Sequence, residues 1–202
     1  MYNKRYDHKD QDLINVRDFG ARGDGSTDDT AAFLAAFAAV DTALPKSTVV
    51  YVPNGTYMLR ATPNVSNESL ILRRNGVLVG ESITGTTLKM IASSVGADWE
   101  NIRFIRAMRR TRVTNLTVDG NREQFDRSVI TMKAATLLYT REGDSEVVVE
   151  HIRARGAYGQ RYGDNFKEGH GVLIQEGNSI VRNVEAYEND GSGVSVGGSL
   201  YF

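Results

Sequence analysis

The chain has 202 residues, which suits one domain with a real core but is short for a coil that must close both of its ends. Its 24 basic and 25 acidic residues leave a net charge of −1, which argues against a partner bound by bulk charge, nucleic acid included. Cysteine is absent, so disulfides, thiolate metal sites and cysteine nucleophiles are excluded.

Residues 1–12 are polar and without periodicity, and they read as a flexible N-terminal arm in which His8 is simply solvated. They lack the apolar segment of a secretory signal, and no run anywhere is apolar enough to cross a membrane. A single domain is expected over 13–202, with truncation at its C-terminal end left open. Leu13 to Gly25 reads as a short strand and a glycine-rich turn. Thr27-Asp28-Asp29-Thr30 then opens an amphipathic helix over 28–40, with Phe33, Leu34, Phe37 and Val40 on one face. The acidic pair is read as a helix cap rather than as chemistry, because a helix start needs oxygen acceptors there. Arg22-Gly23-Asp24 spells an adhesion tripeptide, but inside a turn that needs its glycine the match is accidental.

Short strands follow at Val49 to Val52, Thr56 to Leu59, Leu70 to Leu72, Gly76 to Gly80 and Thr87 to Ile91, with loops over 61–69 and 92–100. Trp99 is expected against the wall of the fold, with sugar stacking as the alternative. Arg103 to Arg112 is the most basic run. It reads as an outward strand face with Phe104, Ile105 and Met108 partly inward, and an acidic glycan is a better partner for it than nucleic acid.

Repetition decides the architecture. Val113-Thr-Asn115-Leu116, Val149-Glu-His151-Ile152 and Val181-Arg-Asn183-Val184 share one order of apolar, polar, amide or imidazole, apolar. Gly171-Val172-Leu173-Ile174 returns as Gly193-Val194-Ser195-Val196, at the period of a solenoid turn. An antiparallel sandwich would favour two-residue turns, whereas most links here are longer. The expectation is an all-β, right-handed parallel β-helix with an N-terminal capping α-helix. The cap has a physical reason, since the first turn of such a coil leaves its core and a strand edge open.

Asn15-Val-Arg-Asp-Phe-Gly-Ala-Arg-Gly-Asp-Gly-Ser-Thr-Asp-Asp-Thr-Ala-Ala, followed by Val49-Val-Tyr-Val-Pro-Asn-Gly-Thr-Tyr57, resembles the entry segment of the pectate-lyase-like superfamily. That group holds polygalacturonase-like hydrolases, polysaccharide lyases, mannuronan epimerases and bacteriophage tail spikes. The resemblance implies the coil and its helical plug, but an architectural motif says little about the reaction. It implies a polysaccharide partner, a homotrimer if the chain comes from a tail spike, and an extracellular or virion-associated setting. No nucleic acid or membrane partner is implied. No cofactor is indicated, and calcium stays open although no motif has the spacing of a known calcium loop.

In a parallel coil, equivalent residues of successive turns lie about 4.8 Å apart, so one register makes a row. Three positions beyond the second apolar residue of each repeat come Asp119, Arg155 and Tyr187, with Arg122, Tyr158, Glu188 and Asp190 close in sequence. As a group they read as a polysaccharide-binding wall, and singly they read as turn residues. The insertion 157–170 adds Arg161, Asp164, Lys167, Glu168 and His170. Elimination at a uronate C5 needs a base, a cation for the carboxylate and an acid for the leaving oxygen. His170 or Tyr158 could serve as base or acid, and Arg161 or Lys167 as the cation. Hydrolysis needs two carboxyl groups, and Asp119, Asp164, Glu168 and Asp190 are the candidates. Arg122, Arg155, Lys167, Glu168, Tyr187, Glu188 and Asp190 are assigned to substrate binding. Lyase, hydrolase and binding module stay open, as does a structural shaft.

The mannuronan epimerases offer one sharper comparison. Leu116-Thr-Val-Asp119-Gly-Asn-Arg122 resembles their corresponding run, but their Tyr-Gly-x-Asp-x-His motif meets Tyr158-Gly159-Gln160-Arg161 here, and their later aspartate falls on Ser192. Epimerase activity is therefore in doubt. His151 takes the amide position of its repeat and is expected to be hydrogen-bonded, inward or at the turn, rather than catalytic.

Overall fold

The structure, a computed structural model, describes residues 12–40, 47–61, 68–92, 101–125, 134–159, 169–175 and 177–197. The strands run β1 Asp12–Asn15, β2 Asp24–Asp28, β3 Thr48–Val52, β4 Gly55–Arg60, β5 Glu68–Leu72, β6 Gly76–Gly80 and β7 Thr86–Ile91. They continue as β8 Asn101–Ala107, β9 Arg112–Asp119, β10 Ala134–Tyr139, β11 Val148–Arg155, β12 Val172–Ile174, β13 Ile180–Tyr187 and β14 Val194–Val196. One helix, α1 Thr30–Ala38, lies between β2 and β3. Every pairing between these strands is parallel, and the expected all-β parallel solenoid is what they form.

Two sheets result. In the larger, β1, β3, β6 and the first half of β9 stack in one column, while β2, β4, β7 and the second half of β9 stack in the next. From β9 onward each strand spans both columns, with β11 on β9 and β13 on β11. The smaller sheet stacks β5, β8, β10, β12 and β14. The repeats seen in the sequence are register partners: Val113 pairs with Val149 and Val149 with Val181, while Leu116 pairs with Ile152 and Ile152 with Val184. Val172 likewise pairs with Val194.

The shared amide position is the corner between columns. Asn115, His151 and Asn183 have φ of 60°, 50° and 51°, a left-handed conformation that asparagine and histidine tolerate better than most residues. The Asn115 amide donates to the carbonyls of Gly80 and Glu81, both at 2.9 Å, and so ties the corner to the preceding turn. The Asn183 amide meets His151 Nε2 at 3.0 Å. His151 is therefore hydrogen-bonded at the turn, as expected, and exposed rather than inward.

Inward positions carry the core. Tyr57 and Leu59 of β4, Leu88 and Met90 of β7, and Val113, Leu116 and Val118 of β9 are fully buried, while alternate residues face out. Phe33 and Phe37 of α1 join this core, and the Phe33 ring meets Tyr57 edge-on at 5.4 Å. Leu34 departs from the expected face. It is 44% exposed, because Ala32 and Ala36 complete the buried side of a helix whose alanine-rich sequence fixes no sharp boundary.

The N-cap residue of the helix is Asp29, whose side chain makes no capping bond, while Asp28 before it accepts from the amide and hydroxyl of Thr30, the first helical residue. Asp29 instead accepts from the amides of Arg22 and Gly23 at 2.7 and 3.0 Å, so the Arg-Gly-Asp stretch is held within a turn. Gly23 is required there: its φ is 64°, and a Cβ would lie 2.6 Å from the Tyr57 ring. The strand β2 and the 3₁₀ turn Val16–Phe19 were not expected. The basic run over 103–112 is divided rather than one strand face, ending β8, making a turn and opening β9. Phe104 and Ile105 are fully buried there. The expected loop over 61–69 closes earlier, since β5 begins at Glu68. His8 and Trp99 lie outside the described residues, as does the N-terminal arm apart from Asp12. Among the described residues no helix is long and apolar enough to cross a membrane.

Candidate functional site

The row read from the sequence exists. Lys89 pairs in register with Asp119, Asp119 with Arg155, and Arg155 with Tyr187. Leu88, Val118 and Ala154 beside them are core residues, so strand alternation turns the row outward.

Asp119 is the centre of the row and is almost wholly covered. Its Oδ2 accepts from Arg155 Nη2 at 2.6 Å and lies 3.7 Å from Lys89 Nζ, while its Oδ1 accepts from the Asn121 amide at 2.8 Å. Both oxygens are engaged, so the carboxylate acts as an anchor for two cations and a turn. Burial works against the charge of Arg155, and the hydrogen bond and charge of Asp119 outweigh it, holding the guanidinium above its ordinary range. Arg155 also approaches Glu188 at 3.6 Å. Gly156 follows with φ of 68°, and a Cβ there would lie 3.1 Å from Asp119 Oδ1.

The turns beyond the row join alternate windings. Arg122 Nη1 donates to Asp190 Oδ1 at 3.1 Å, and the Gly159 amide donates to Asp190 Oδ2 at 3.0 Å. Asn121 reaches back to the Met90 carbonyl, and Asn189 accepts from the Ala157 amide while donating to the Ala154 carbonyl. These asparagines supply partners for backbone groups at the bend. Tyr158 is 1% exposed and stacks on Phe125 with centroids 4.9 Å apart, which places its ring in the wall beneath the Arg122 turn. His170 is half-buried at the head of the smaller sheet, where its carbonyl accepts from the Leu137 amide and that of Tyr158 accepts from the Ala135 amide.

Of the residues singled out in the sequence, Asp119, Arg155, Tyr187 and Glu188 form the outer row. Arg122, Tyr158 and Asp190 form the adjoining turn, and His170 stands at the head of the smaller sheet. Arg161, Asp164, Lys167 and Glu168 lie outside the described residues. Two contributors were missed, Lys89 and Phe125. Lys89 could have been found from the alternation Thr87-Leu88-Lys89, which matches Thr117-Val118-Asp119 once β7 is set against the second half of β9. Phe125 carries no such signal. Among the described residues no group of three or more His, Cys, Asp or Glu could hold a metal ion.

Comparison with known proteins agrees with this architecture. The family model for rhamnogalacturonase A/epimerase, pectate lyase-like, matches residues 13–201. Alginate lyase 7 of Azotobacter vinelandii is 32% identical over 146 residues, covering 70% of this chain and 16% of the lyase. Mannuronan C5-epimerase AlgE3 of the same organism is 28% identical over 206 residues, covering 91% of this chain and 11% of the epimerase. The chain thus spans a small part of these curated relatives. Among solved structures, the A-module of the A. vinelandii mannuronan C-5 epimerase AlgE4 superposes with a TM-score of 0.66 at 27% identity, over 92% of this chain and 53% of that one. ORF18 of Geobacillus virus E2 shares the fold, with a TM-score of 0.54 at 18% identity over 86% of this chain and 37% of that one. The chain belongs to the rhamnogalacturonase A/epimerase, pectate lyase-like family.

Proposed function

We propose that this chain acts on an acidic polysaccharide of the alginate class, laid along Lys89, Arg155 and Tyr187, and that it opens the chain by β-elimination. The observation that carries the reading is two cations and a phenol at ladder spacing on an outward face, with Asp119 fixing both cations. A uronate carboxylate against Arg155 and Lys89 loses repulsion as negative charge develops beside it, which favours loss of the C5 proton. A base takes that proton, the C4–O bond breaks, a C4–C5 double bond forms and the departing oxygen is protonated. His170 is our candidate for proton transfer among the described residues. The names of the lyase and epimerase relatives support the polyuronate class. The expected setting is extracellular or virion-associated, where such polymers are met, and a tail-spike depolymerase is one form of it.

A second reading, a binding module without turnover, has its own support. Asp119 is saturated by its partners and Tyr158 is buried, which removes two of the proton-transfer candidates considered from sequence. Incubation with polymannuronate, polyguluronate and pectate separates the two. Rising ultraviolet absorbance from unsaturated ends is the expected result, and new reducing ends without it would mean hydrolysis. Deuterium entering C5 from solvent without cleavage would mean epimerisation. Binding without any of the three leaves the module. Binding about tenfold weaker is expected in Arg155→Ala, and unchanged binding there would overturn the site.

Two architectural points belong to the same reading. A right-handed coil is inferred from the strong preference of parallel crossovers for that hand. The helix α1 is inferred to plug the N-terminal mouth, because it lies against β4 and β5 with Phe33 and Phe37 buried. Phe37→Asp should then cost about 4 kcal/mol or more in denaturant unfolding, and an unchanged midpoint would argue against the plug.

A further inference from the structure

Two stacked turns at the opposite end of the strands carry arginines that the outer row does not use. One leads from β5 to β6 over residues 73–75, the other from β8 to β9 over 108–111. Both leave from paired residues, Leu72 and Ala107, and re-enter at paired residues, Val77 and Arg112. The spacing between these paired residues is the same in both windings, so Arg74 stands over Arg109 and Asn75 over Arg110. Backbone bonds hold them together, from the Met108 amide to the Leu72 carbonyl at 3.1 Å and from the Asn75 amide to the Arg109 carbonyl at 3.4 Å.

Their charges are unbalanced. Arg73 and Arg74 are exposed, and among the described residues no acidic side chain pairs with either. Arg109 and Arg110 converge on one carboxylate, Glu146, at 2.9 and 3.0 Å. Four guanidinium groups thus face one carboxylate. In the next turn Arg141 lies 3.7 Å from Glu68, Asp144 is engaged by Arg106 at 2.8 Å and Glu142 is exposed, while Arg112 is engaged by Glu150 at 2.7 Å. Stacked turns repeat at about 4.8 Å, comparable with one hexuronate unit, so an acidic chain crossing them meets a guanidinium at each winding. The planar fork of arginine suits carboxylates, and exposed side chains bind them without a large desolvation cost.

We propose that this arginine-bearing edge is a second binding surface for an acidic polysaccharide, remote from the outer row and holding polymer outside the reaction register. The proposal rests on the polyuronate reading given above. The row sits at the Asp119 end of β9 and the edge just before its Arg112 end, with the corner at Asn115 between them, so a long chain could engage either without blocking the other.

Affinity electrophoresis of the full chain in gels containing long polymannuronate tests it, using Arg73→Ser/Arg74→Ser against Arg17→Ser/Arg22→Ser, which removes the same charge from exposed sites elsewhere. The edge variant should bind long polymer about tenfold more weakly, with a salt dependence flatter by roughly two charges. Its thermal midpoint and its affinity for short oligouronates should be unchanged, and the control should bind as the wild type does. Equal retardation of edge variant and control, with Arg155→Ala alone weakened, would overturn the edge and leave the function standing. A wild type that no polyuronate retards would remove both. Sulfated dextran or DNA held as tightly as polymannuronate at the same salt would overturn the assigned partner.

Discussion

Two carboxylates sit on the outer faces of neighbouring columns, each nearly sealed from water between two cations. Asp119 lies between Lys89 and Arg155, and Glu150 lies between Arg112 and Arg182. The arrangements look alike, but their bonds differ. Each oxygen of Glu150 is taken by one arginine, so the acid ends where its two neighbours begin and acts as a staple across three windings. One oxygen of Asp119 is spent on the Asn121 amide, which shapes the turn carrying Arg122, and the other gathers two cations beside Tyr187. The comparison teaches that a buried ion pair is not by itself evidence of a site; what marks one is the turn and the aromatic group it organises.

Removing each acid gives the largest effect. Losing one partner of a buried pair costs about 3–5 kcal/mol when the other charge stays buried, but these cations keep between 28% and 59% of their side-chain surface in water. Asp119→Ala and Glu150→Ala should therefore each lose about 2 kcal/mol in denaturant unfolding. Only Asp119→Ala should also weaken polymannuronate binding by about tenfold or more. Equal losses of binding in the two variants would erase the distinction.

The cations sharpen it at lower cost. Arg155→Ala should weaken binding by about tenfold, or 1.4 kcal/mol, with a small change in stability. Arg182→Ala, whose side chain is 59% exposed, should change stability by about 0.5 kcal/mol or less and leave binding alone. Titration of both variants with one oligouronate, alongside their melting curves, makes the comparison.

The corner separating the two acids shows how far the sequence could be read. Asn115, His151 and Asn183 announced themselves because a left-handed residue between apolar partners needs an amide or imidazole, and that regularity placed Asp119, Arg155 and Tyr187 in one row. Lys89 escaped because its winding turns the same corner through residues 81–85, between β6 and β7, so the repeat is hidden. The burial of Tyr158 escaped because Phe125 comes from a segment with no periodicity, and Leu34 because alanines blur a helical face. Chemistry was less legible than architecture, since the row depends on pairing that any outward polar residue would satisfy. His151→Asn tests the corner itself. Asparagine adopts the conformation readily and can donate as Asn115 does, so a gain of about 0.5 kcal/mol is expected, measured by thermal unfolding.

The smallest effect concerns a third carboxylate in the same row, Asp28, which is in register with Met58 and through it with Lys89. Unlike the other two it is open to solvent, with 36% of its side chain exposed, and its cation is Arg60. Partial burial pushes its carboxyl up, but the hydroxyl and amide of Thr30 and the guanidinium of Arg60 outweigh that and hold it below the ordinary value of 3.8. A depressed folded value means that the stabilising contribution is complete above the unfolded value and disappears as pH falls through the folded one. The wild type should thus lose a few tenths of a kcal/mol more than Asp28→Asn between neutral pH and the region below 3.8, the modest size following from solvent screening. Parallel acid melts read this difference directly, and a larger loss in the variant would mean that the helix start is held by Thr30 and Arg60 without the charge.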